Sequence, residues 1–424
     1  MVFKRQKTKE RIKIDHLVYF FICHKKLSLL YNLVGDYMKK ITTFILLVFS
    51  FITLNVLNVK AEDETVINED YNLSKSAILI DAKTNKVLKE ENSNLRLHMA
   101  SMTKVMSLLL FFEAIDEGRL SFDKMITTSK NAASKGGSQI FLEVGEQMSV
   151  DDLLKSICIA SANDATVALA EAISGSEEAF VNLMNKKVES LGLTNTVYSN
   201  STGLPNNKPH YTTAYDMAII SSELINRYPK ALEYTSLYED YVRRNTPKQF
   251  WLVNTNKMVK HINGVDGLKT GWTESAGYCL TCTKEENGLR LISVVMGSKT
   301  VGMRTTKTLE LLNYGFSNFK YQVVLKKGTI VKTNEDLLMN PNKYNIVLSK
   351  DFGLVLDKNE EIKDYNISVD LDYKKIKNFE TSNIGTARFY QNGKLIGKVS
   401  LEILEKTEKL SFFELFVNIL KSIF

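Results

Sequence analysis

Residues 97–112 change from a polar to a continuously apolar pattern within one predicted helix. The segment begins Leu97-His-Met-Ala-Ser101-Met-Thr-Lys104, and an apolar run follows as far as Phe112. A helix that is apolar on every side belongs in the interior of a domain. Ser101 and Lys104 lie three residues apart, so on a helix they share one face. The pattern therefore predicts a buried helix with a hydroxyl and an amine at its N-terminal end.

That end of the helix has properties that suit acid–base chemistry. Unpaired backbone N–H groups and the positive end of the helix dipole favour developing negative charge there. Burial lowers the pKa of a lysine, so Lys104 would be able to accept the proton of Ser101. A Ser-x-x-Lys tetrapeptide also occurs by chance at ordinary helix starts. The interpretation therefore depends on partners elsewhere in the chain.

Strands and helices alternate around this helix. A hairpin is predicted at 76–89, and residues 250–297 are strand-like, with a turn at Gly264-Val-Asp-Gly267. Helical patterns cover 151–175, interrupted at Ser161-Ala-Asn163, and also 177–191, 212–227 and 303–316. Strands at both ends with helices between them indicate an α+β domain with a central antiparallel sheet, which we place at 62–320.

After Lys320 the pattern changes to short alternating stretches rich in Lys, Asn, Val and Ile. Asn392-Gly393 is a strong signal for a two-residue hairpin turn, and we predict a small all-β domain at 321–409. Residues 410–424 carry one polar stripe on an otherwise apolar helix, about 23 Å long and too short to span a bilayer. A membrane-surface anchor is the functional interpretation of this amphipathic terminal helix. A helix packed on the β domain is the alternative.

A basic and then apolar segment precedes these domains. Met38-Lys-Lys40 is followed by the mostly apolar residues 41–57 and a small-residue cleavage site ending at Ala61. This order predicts a signal peptide at 38–61, with an uncleaved anchor helix as the alternative. Residues 1–37 are either an N-terminal extension or the result of a misassigned start, with Met38 as the true initiator.

The composition suits a globular protein of two or three domains, with 44% hydrophobic and 24% charged residues in 424. The formal net charge of +7 is concentrated in the leader, because residues 1–61 contain 11 Lys and Arg but only three Asp and Glu. The remainder then has 44 basic and 45 acidic residues, close to neutrality. A nucleic-acid partner is therefore not expected.

The cysteines and histidines favour neither a disulfide framework nor a metal site. Cys23 lies in the leader, which leaves Cys158, Cys279 and Cys282. Cys279 and Cys282 lie three residues apart in a predicted strand, so they point to opposite faces and should not pair. With five His and no His-Glu-x-x-His or paired Cys-x-x-Cys motif, we expect no metal and no cofactor.

Two further motifs supply candidate partners for Ser101 and Lys104. Ser161-Ala-Asn163 lies at a break between helices, where a hydroxyl and an amide can project into a cleft. Lys269-Thr-Gly271 runs into the strand-like residues 278–283, and Gly271 would leave room for a ligand beside that strand. Each motif alone occurs by chance in many chains. All three motifs in this order and at these spacings, after an export signal, are far stronger evidence for one shared site.

With these motifs the chain resembles the penicillin-recognising serine enzymes, whose signatures are Ser-x-x-Lys, Ser-x-Asn and Lys-Thr-Gly. It is most similar to the low-molecular-mass penicillin-binding proteins that are D-alanyl-D-alanine carboxypeptidases, serine peptidase family S11. The likeness runs from about Tyr71 to Phe319 and more weakly into the C-terminal β domain. Further matching stretches are Ser161-Ala-Asn-Asp-Ala165, Thr202-Gly-Leu-Pro205, Thr212-Thr-Ala-Tyr-Asp-Met217 and Asp266-Gly-Leu-Lys-Thr-Gly-Trp-Thr273.

The resemblance implies a fold, a substrate and a location. The fold would be a penicillin-binding-protein or β-lactamase-like catalytic domain. The substrates would be peptidoglycan stem peptides ending in D-Ala-D-Ala, with β-lactam antibiotics as covalent inhibitors. Together with the leader, the resemblance implies an exported protein at the outer face of the cytoplasmic membrane or in the cell wall.

The resemblance also implies roles for the residues of the first two motifs. Ser101 would attack the carbonyl of the penultimate D-Ala and form an acyl-enzyme, with Lys104 as the general base. Ser161 would relay a proton to the leaving amine. Asn163 would position the substrate amide and Lys104 by hydrogen bonds.

The third motif would hold the substrate. Lys269 and Thr270, followed by Gly271, would bind the terminal carboxylate. The backbone N–H groups of Ser101 and Trp272 would form the oxyanion hole. Trp272 stands where some relatives have His, which leaves the effect of the indole on substrate access open.

Two acidic residues, Asp164 and Asp216, match family positions, and we interpret both as structural. A secreted β-lactamase shares the three motifs but needs a carboxylate to activate the deacylating water. Glu178-Ala-Phe-Val-Asn182 has the required Glu-x-x-x-Asn spacing, but it falls inside a helical pattern soon after Asn163. A non-enzymatic wall-binding protein on the same scaffold is a second alternative. Transpeptidase or endopeptidase side activity also stays open.

Overall fold

The structure is a computed structural model that describes residues 73–336, 338–362, 364–411, 413–414 and 416–417. The predicted signal peptide, the segment before it and most of the predicted terminal helix lie outside the described residues. Within the described part of the chain, no helix has the length and apolar character needed to cross a membrane.

The strands and helices follow one another in this order. The strands are β1 Ser76–Asp81, β2 Val87–Glu91, β3 Met125–Thr127, β4 Gln147–Ser149, β5 Glu239–Val242, β6 Phe250–Val253, β7 Val265–Thr273, β8 Gly277–Glu286, β9 Leu289–Ser298, β10 Phe319–Leu325, β11 Ile330–Glu335, β12 Met339–Asn340, β13 Lys343–Leu348, β14 Phe352–Asp357, β15 Asn366–Leu371, β16 Gly385–Gln391, β17 Lys394–Ile403 and β18 Glu408–Lys409. The helices are α1 Lys104–Asp116, α2 Lys130–Ala133, α3 Val150–Ala160, α4 Asn163–Ser174, α5 Glu177–Ser190, α6 Ala214–Arg227, α7 Ala231–Thr235, α8 Met258–His261, α9 Val301–Asn318 and α10 Tyr373–Lys377.

A five-stranded antiparallel sheet with the order β2-β1-β9-β8-β7 forms the centre of the first domain. Alternate residues of β1 enter different cores, because successive side chains of a strand point to opposite faces. Ile78 and Ile80 belong to the core that contains α1 and α6, whereas Leu79 packs with α9 on the other face. Helices therefore cover both faces of the sheet, and the α+β prediction is confirmed.

The buried helix predicted behind Ser101 is α1, preceded by a 3₁₀ turn at Ala100–Thr103. Every residue from Lys104 to Phe112 is buried. The helix packs against α4 and α6, and the preceding turn packs against β7. These contacts on all sides explain why the sequence of α1 has no polar face.

Gly267 differs from the prediction, since it lies within β7 and not in a turn. The turn is confined to Gly264, whose φ is +81°. A Cβ at Gly267 would lie 2.6 Å from the hydroxyl of Thr235, and that hydroxyl donates to the Asp266 carbonyl at 2.7 Å. This glycine therefore permits a close side-chain approach to the strand.

The cysteines lie as predicted. Cys279 and Cys282 are on β8 and belong to cores on opposite faces of the sheet. Together with Cys158 they are free and buried.

The second domain is a set of antiparallel strands, as predicted. Its main sheet has the order β11-β13-β17-β16-β15, and β10 pairs with β14. Phe352 and Phe389 stack in its core, with ring centroids 3.7 Å apart. Asn392 and Gly393 both have positive φ and join β16 to β17, as expected for a two-residue hairpin turn. The short helix α10 was not predicted from the sequence.

Candidate active site

Ser101 lies in the 3₁₀ turn that leads into α1, and Lys104 is the first residue of that helix. The Lys104 ammonium donates hydrogen bonds to Ser101 Oγ at 3.0 Å, Asn163 Oδ1 at 2.6 Å and the Thr202 carbonyl at 2.8 Å. A neutral amine donates only two of these bonds. Its lone pair then faces the Ser101 hydroxyl, which is the geometry a general base requires.

The environment of Lys104 favours the neutral amine. Complete burial lowers its pKa well below the usual range, and the positive charge of Lys269 lowers it further. The carboxylate of Asp164 acts in the opposite direction. Asp164 itself accepts hydrogen bonds from the backbone N–H groups of Ile140 and Leu142, in agreement with its structural interpretation.

Asn163 joins Lys104 to a neighbouring loop. Its Nδ2 donates to the Gly136 carbonyl at 2.7 Å, and its backbone N–H donates to the Ser138 carbonyl at 2.7 Å. Since the Asn163 side chain is held at both ends, it fixes the position of the amine. The residue begins α4 and is only 3% exposed.

Ser161 lies between α3 and α4 in the left-handed region, with φ 63° and ψ 30°. A non-glycine residue in this conformation costs free energy and often occurs at functional sites. Its hydroxyl is buried and has no hydrogen-bond partner among the described residues. Ser161 and Ser101 line the same cavity, which has a volume of about 520 Å³.

The residues of the third motif lie on β7, the outermost strand of the central sheet. Lys269 is 1% exposed, and burial lowers its pKa to about 7. Its Nζ donates to the Thr270 carbonyl at 3.1 Å. The Thr270 hydroxyl donates to Thr255 Oγ1 at 2.8 Å. Trp272 is 58% exposed, and its ring centroid lies 5.9 Å from that of Tyr278.

Gly271 permits a close approach that was not predicted. A Cβ there would lie 2.7 Å from the Met99 carbonyl and 3.2 Å from the Ala100 Cβ. The chain that leads to Ser101 therefore fills the space into which a side chain at this position would point, while Gly271 also lines the cavity. This close approach brings β7 against the 3₁₀ turn.

The structure thus brings the three motifs together. Ser101, Ser161, Thr270, Gly271 and Trp272 line the cavity. The remaining predicted site residues, Lys104, Asn163 and Lys269, are buried behind them. Among the described residues, no group of three or more His, Cys, Asp or Glu side chains is placed to hold a metal ion.

Comparison with known families gives the same assignment for both domains. A family model described as D-alanyl-D-alanine carboxypeptidase matches residues 63–300, and one described as the C-terminal domain of penicillin-binding protein 5 matches residues 319–409. The D-alanyl-D-alanine carboxypeptidase DacF of Bacillus subtilis is 39% identical over 376 residues, which are 88% of this chain and 96% of the relative.

The chain belongs to the D-alanyl-D-alanine carboxypeptidase family.

Solved structures of penicillin-binding proteins share this fold. Penicillin-binding protein 5 from Haemophilus influenzae matches with a TM-score of 0.63 and 29% identity, over 80% of this chain and 98% of that chain. Penicillin-binding protein D2 from Listeria monocytogenes, in its ampicillin-bound form, matches with a TM-score of 0.52 and 31% identity. The latter match covers 58% of this chain and 98% of that chain.

One cationic residue of the cavity was missed in the sequence. Arg304 lies in the second turn of α9 and is 6% exposed. Its Nε is buried without a hydrogen-bond partner among the described residues, and the side chain lines the Ser101 cavity. A buried guanidinium N–H without an acceptor is costly unless an anion binds it. Nothing local marks this residue, because its function depends on where α9 packs against β8 and β9.

A second missed residue is His210, which acts on the turn that carries Ser101. The Ser199 N–H donates to His210 Nδ1 at 3.0 Å, so the proton of the neutral imidazole is on Nε2. Nε2 donates to Thr103 Oγ1 at 2.7 Å, and the Thr103 hydroxyl donates to the Ala100 carbonyl at 2.8 Å. Burial, assisted by the charge of His98, lowers the pKa of His210 to about 4 and keeps this chain of hydrogen bonds intact.

Proposed function

We propose that the protein is a serine-type D-alanyl-D-alanine carboxypeptidase that removes the terminal D-Ala from peptidoglycan pentapeptides through a Ser101 acyl-enzyme. The observation that carries the proposal is the 3.0 Å hydrogen bond between the buried Lys104 amine and Ser101 Oγ. Release of D-Ala from a pentapeptide by the wild type, and not by Ser101→Ala, tests it. A non-enzymatic wall-binding protein would keep its function in that variant.

Acylation would use the first two motifs. Ser101 Oγ attacks the carbonyl carbon of the penultimate D-Ala while its proton moves to the neutral amine of Lys104. The backbone N–H groups of Ser101 and Trp272 stabilise the oxyanion, since β7 is held against the Ser101 turn. The C–N bond then breaks, and the proton held by Lys104 passes through Ser161 to the leaving amine. The Ser161 hydroxyl lies in the cavity and has no hydrogen-bond partner in the described part of the chain, which supports this role.

Recognition of the chain end would use the cationic side of the cavity. Lys269, Thr270 and Arg304 hold the free terminal carboxylate, which distinguishes a chain-end D-Ala from an internal residue. Buried cations bind a carboxylate more strongly than exposed ones because water competes less. After D-Ala leaves, water attacks the acyl carbonyl and gives up a proton to Lys104. That proton passes to Ser101 Oγ as the shortened peptide departs.

A β-lactam would acylate Ser101 in the same way, because its strained amide takes the place of the D-Ala-D-Ala bond. The matched Listeria protein was solved in ampicillin-bound and cefotaxime-bound forms. The β-lactamase alternative has less support. Glu178 and Asn182 lie on α5 and line a different cavity from Ser101. Fast penicillin hydrolysis without a lasting acyl-enzyme would favour that alternative.

We further propose the domain organisation that the sequence indicates. Residues 38–61 are a signal peptide, 62–320 the catalytic domain, 321–409 the β domain and 410–424 a helix that lies on the membrane surface. The protein is then peripheral at the outer face of the cytoplasmic membrane, in contact with peptidoglycan. Exposed Phe413 and Phe416 support the surface anchor. Loss of sedimentation with membranes after removal of 410–424 would test it.

A further inference from the structure

The lining of the Ser101 cavity is more apolar than a terminal D-Ala requires, since the D-Ala side chain is a single methyl group. Its volume of about 520 Å³ falls within the range of cavities that hold drug-sized ligands. The apolar side chains of its lining are Met258, Ile262, Trp272, Tyr278 and Val301. The catalytic scheme above uses only the backbone of Trp272 among them.

The position of Arg304 shows where these apolar side chains lie relative to the bound carboxylate. Val301, Arg304 and Thr305 are related as i, i+3 and i+4 on α9, so they share one face. One helical turn rises about 5.4 Å, which places the backbone of Val301 within one turn of the backbone of Arg304. A residue whose carboxylate is held by Arg304 therefore has Val301 beside it.

The opposite walls are formed by α8 and by the ends of β7 and β8. Met258 and Ile262 are four residues apart, on one side of the short helix and its C-terminal end. Trp272 and Tyr278 are directly paired in the β7–β8 register. Val301 and Trp272 are 50% and 58% exposed, so a bound apolar side chain would remove apolar surface from water.

We infer that this part of the cavity is a subsite for the side chain of the residue that leaves, and that it selects large apolar side chains. The substrate class then includes stem peptides that end in a bulky apolar D-amino acid such as D-Leu. The inference rests on the proposed function, because the bond cleaved and the carboxylate contacts are the same. The charged residues of the lining are Lys257 and Arg304, both cationic, so a cationic side chain is disfavoured.

The test uses three pentapeptides that differ only in the last residue: D-Ala, D-Leu or D-Lys. Release of the last residue is measured to obtain kcat/KM for each. We expect the value for D-Leu to equal or exceed that for D-Ala, and D-Lys to be the poorest of the three. The D-Lys side chain is long but ends in a charged group. It therefore distinguishes a subsite that selects apolar side chains from one that accepts any large side chain.

Two variants test whether Val301 on α9 forms part of the subsite. Val301→Trp fills the apolar part and should lower the D-Leu to D-Ala ratio of kcat/KM by roughly ten-fold or more. Thr306→Trp adds the same ring at an exposed position outside the cavity lining, and should leave the ratio unchanged. A wild-type kcat/KM lower for D-Leu than for D-Ala, D-Lys cleaved as well as D-Leu, or an unchanged ratio in Val301→Trp would overturn the inference. Loss of D-Ala release itself would instead contradict the proposed function.

Discussion

The Lys104 amine and the Asn163 side-chain carbonyl lie 2.6 Å apart in a fully buried environment. This contact holds the amine beside Ser101 without placing a negative charge next to it. An amide fixes the position of a lysine and stabilises the ammonium less than a carboxylate does. Asn163 is therefore compatible with Lys104 acting as a neutral base.

Replacing this amide by a carboxylate tests that function. In Asn163→Asp the new charge favours the ammonium and raises the pKa of Lys104, so the neutral base forms only at higher pH. The acylation rate at pH 7 should fall by roughly ten-fold or more and recover as the pH increases. Asn163→Ala should slow the reaction without that shift. A wild-type pH–rate profile in Asn163→Asp would contradict the assignment of Lys104 as the base.

The contact of Gly271 with the Ser101 turn predicts a combined defect. Gly271→Ala places a Cβ 2.7 Å from the Met99 carbonyl, so either β7 or the turn must move. The free energy of unfolding should fall by about 1–3 kcal/mol, and acylation by penicillin should slow. Gly302→Ala is the matched control, since its Cβ would have only an ordinary contact with Thr300. Chemical denaturation and labelling kinetics on both variants measure the two effects.

His210 should affect the rate more than substrate binding. Removing the imidazole in His210→Ala frees Thr103 and loosens the turn that carries Ser101. A misplacement of about 1 Å can cost a hundred-fold in rate, so kcat should fall while KM stays nearly constant. His210→Gln keeps a donor near the position of Nε2 and should restore part of the rate. Equal loss in both variants, with unchanged thermal stability, would contradict a positioning function.

Arg304 should discriminate free from blocked chain ends. Loss of one charge-assisted hydrogen bond in Arg304→Ala should reduce kcat/KM for a free-acid pentapeptide by roughly ten- to hundred-fold. A peptide whose terminal carboxylate is amidated offers no such contact, so its low kcat/KM should not change. An equal fractional loss for both peptides would show that Arg304 does not recognise the carboxylate.

Local pattern was sufficient for much of this fold. The apolar run after Lys104 predicts α1, because consecutive apolar residues indicate a helix that is buried on all sides. Asn392-Gly393 predicts its hairpin, because these two residues favour the turn on their own. Periodicity could not predict that Lys269 lies close to the Ser101 turn. Lys269 is on β7, more than 160 residues after Ser101, and the hydrophobic pattern of a segment says nothing about such a distant contact. It was predicted from the resemblance to a family.

The errors have the same physical origin. Gly267 was interpreted as part of a turn, whereas the structure uses it for a close approach of the Thr235 side chain to β7. Arg304 and His210 carry no local motif, and their functions arise from contacts between segments distant in sequence. Such contacts become visible only when the elements are assembled.

The most direct test of the central claim is the release of D-Ala by purified protein from a pentapeptide ending in D-Ala-D-Ala. The account predicts release by the wild type, none by Ser101→Ala, and a covalent penicillin adduct that maps to Ser101 in the wild type alone. Ser101→Ala is a small change at a partly exposed position, so the variant should fold, as circular dichroism would verify. No D-Ala release from the folded wild type, or equal release from the variant, would contradict the account.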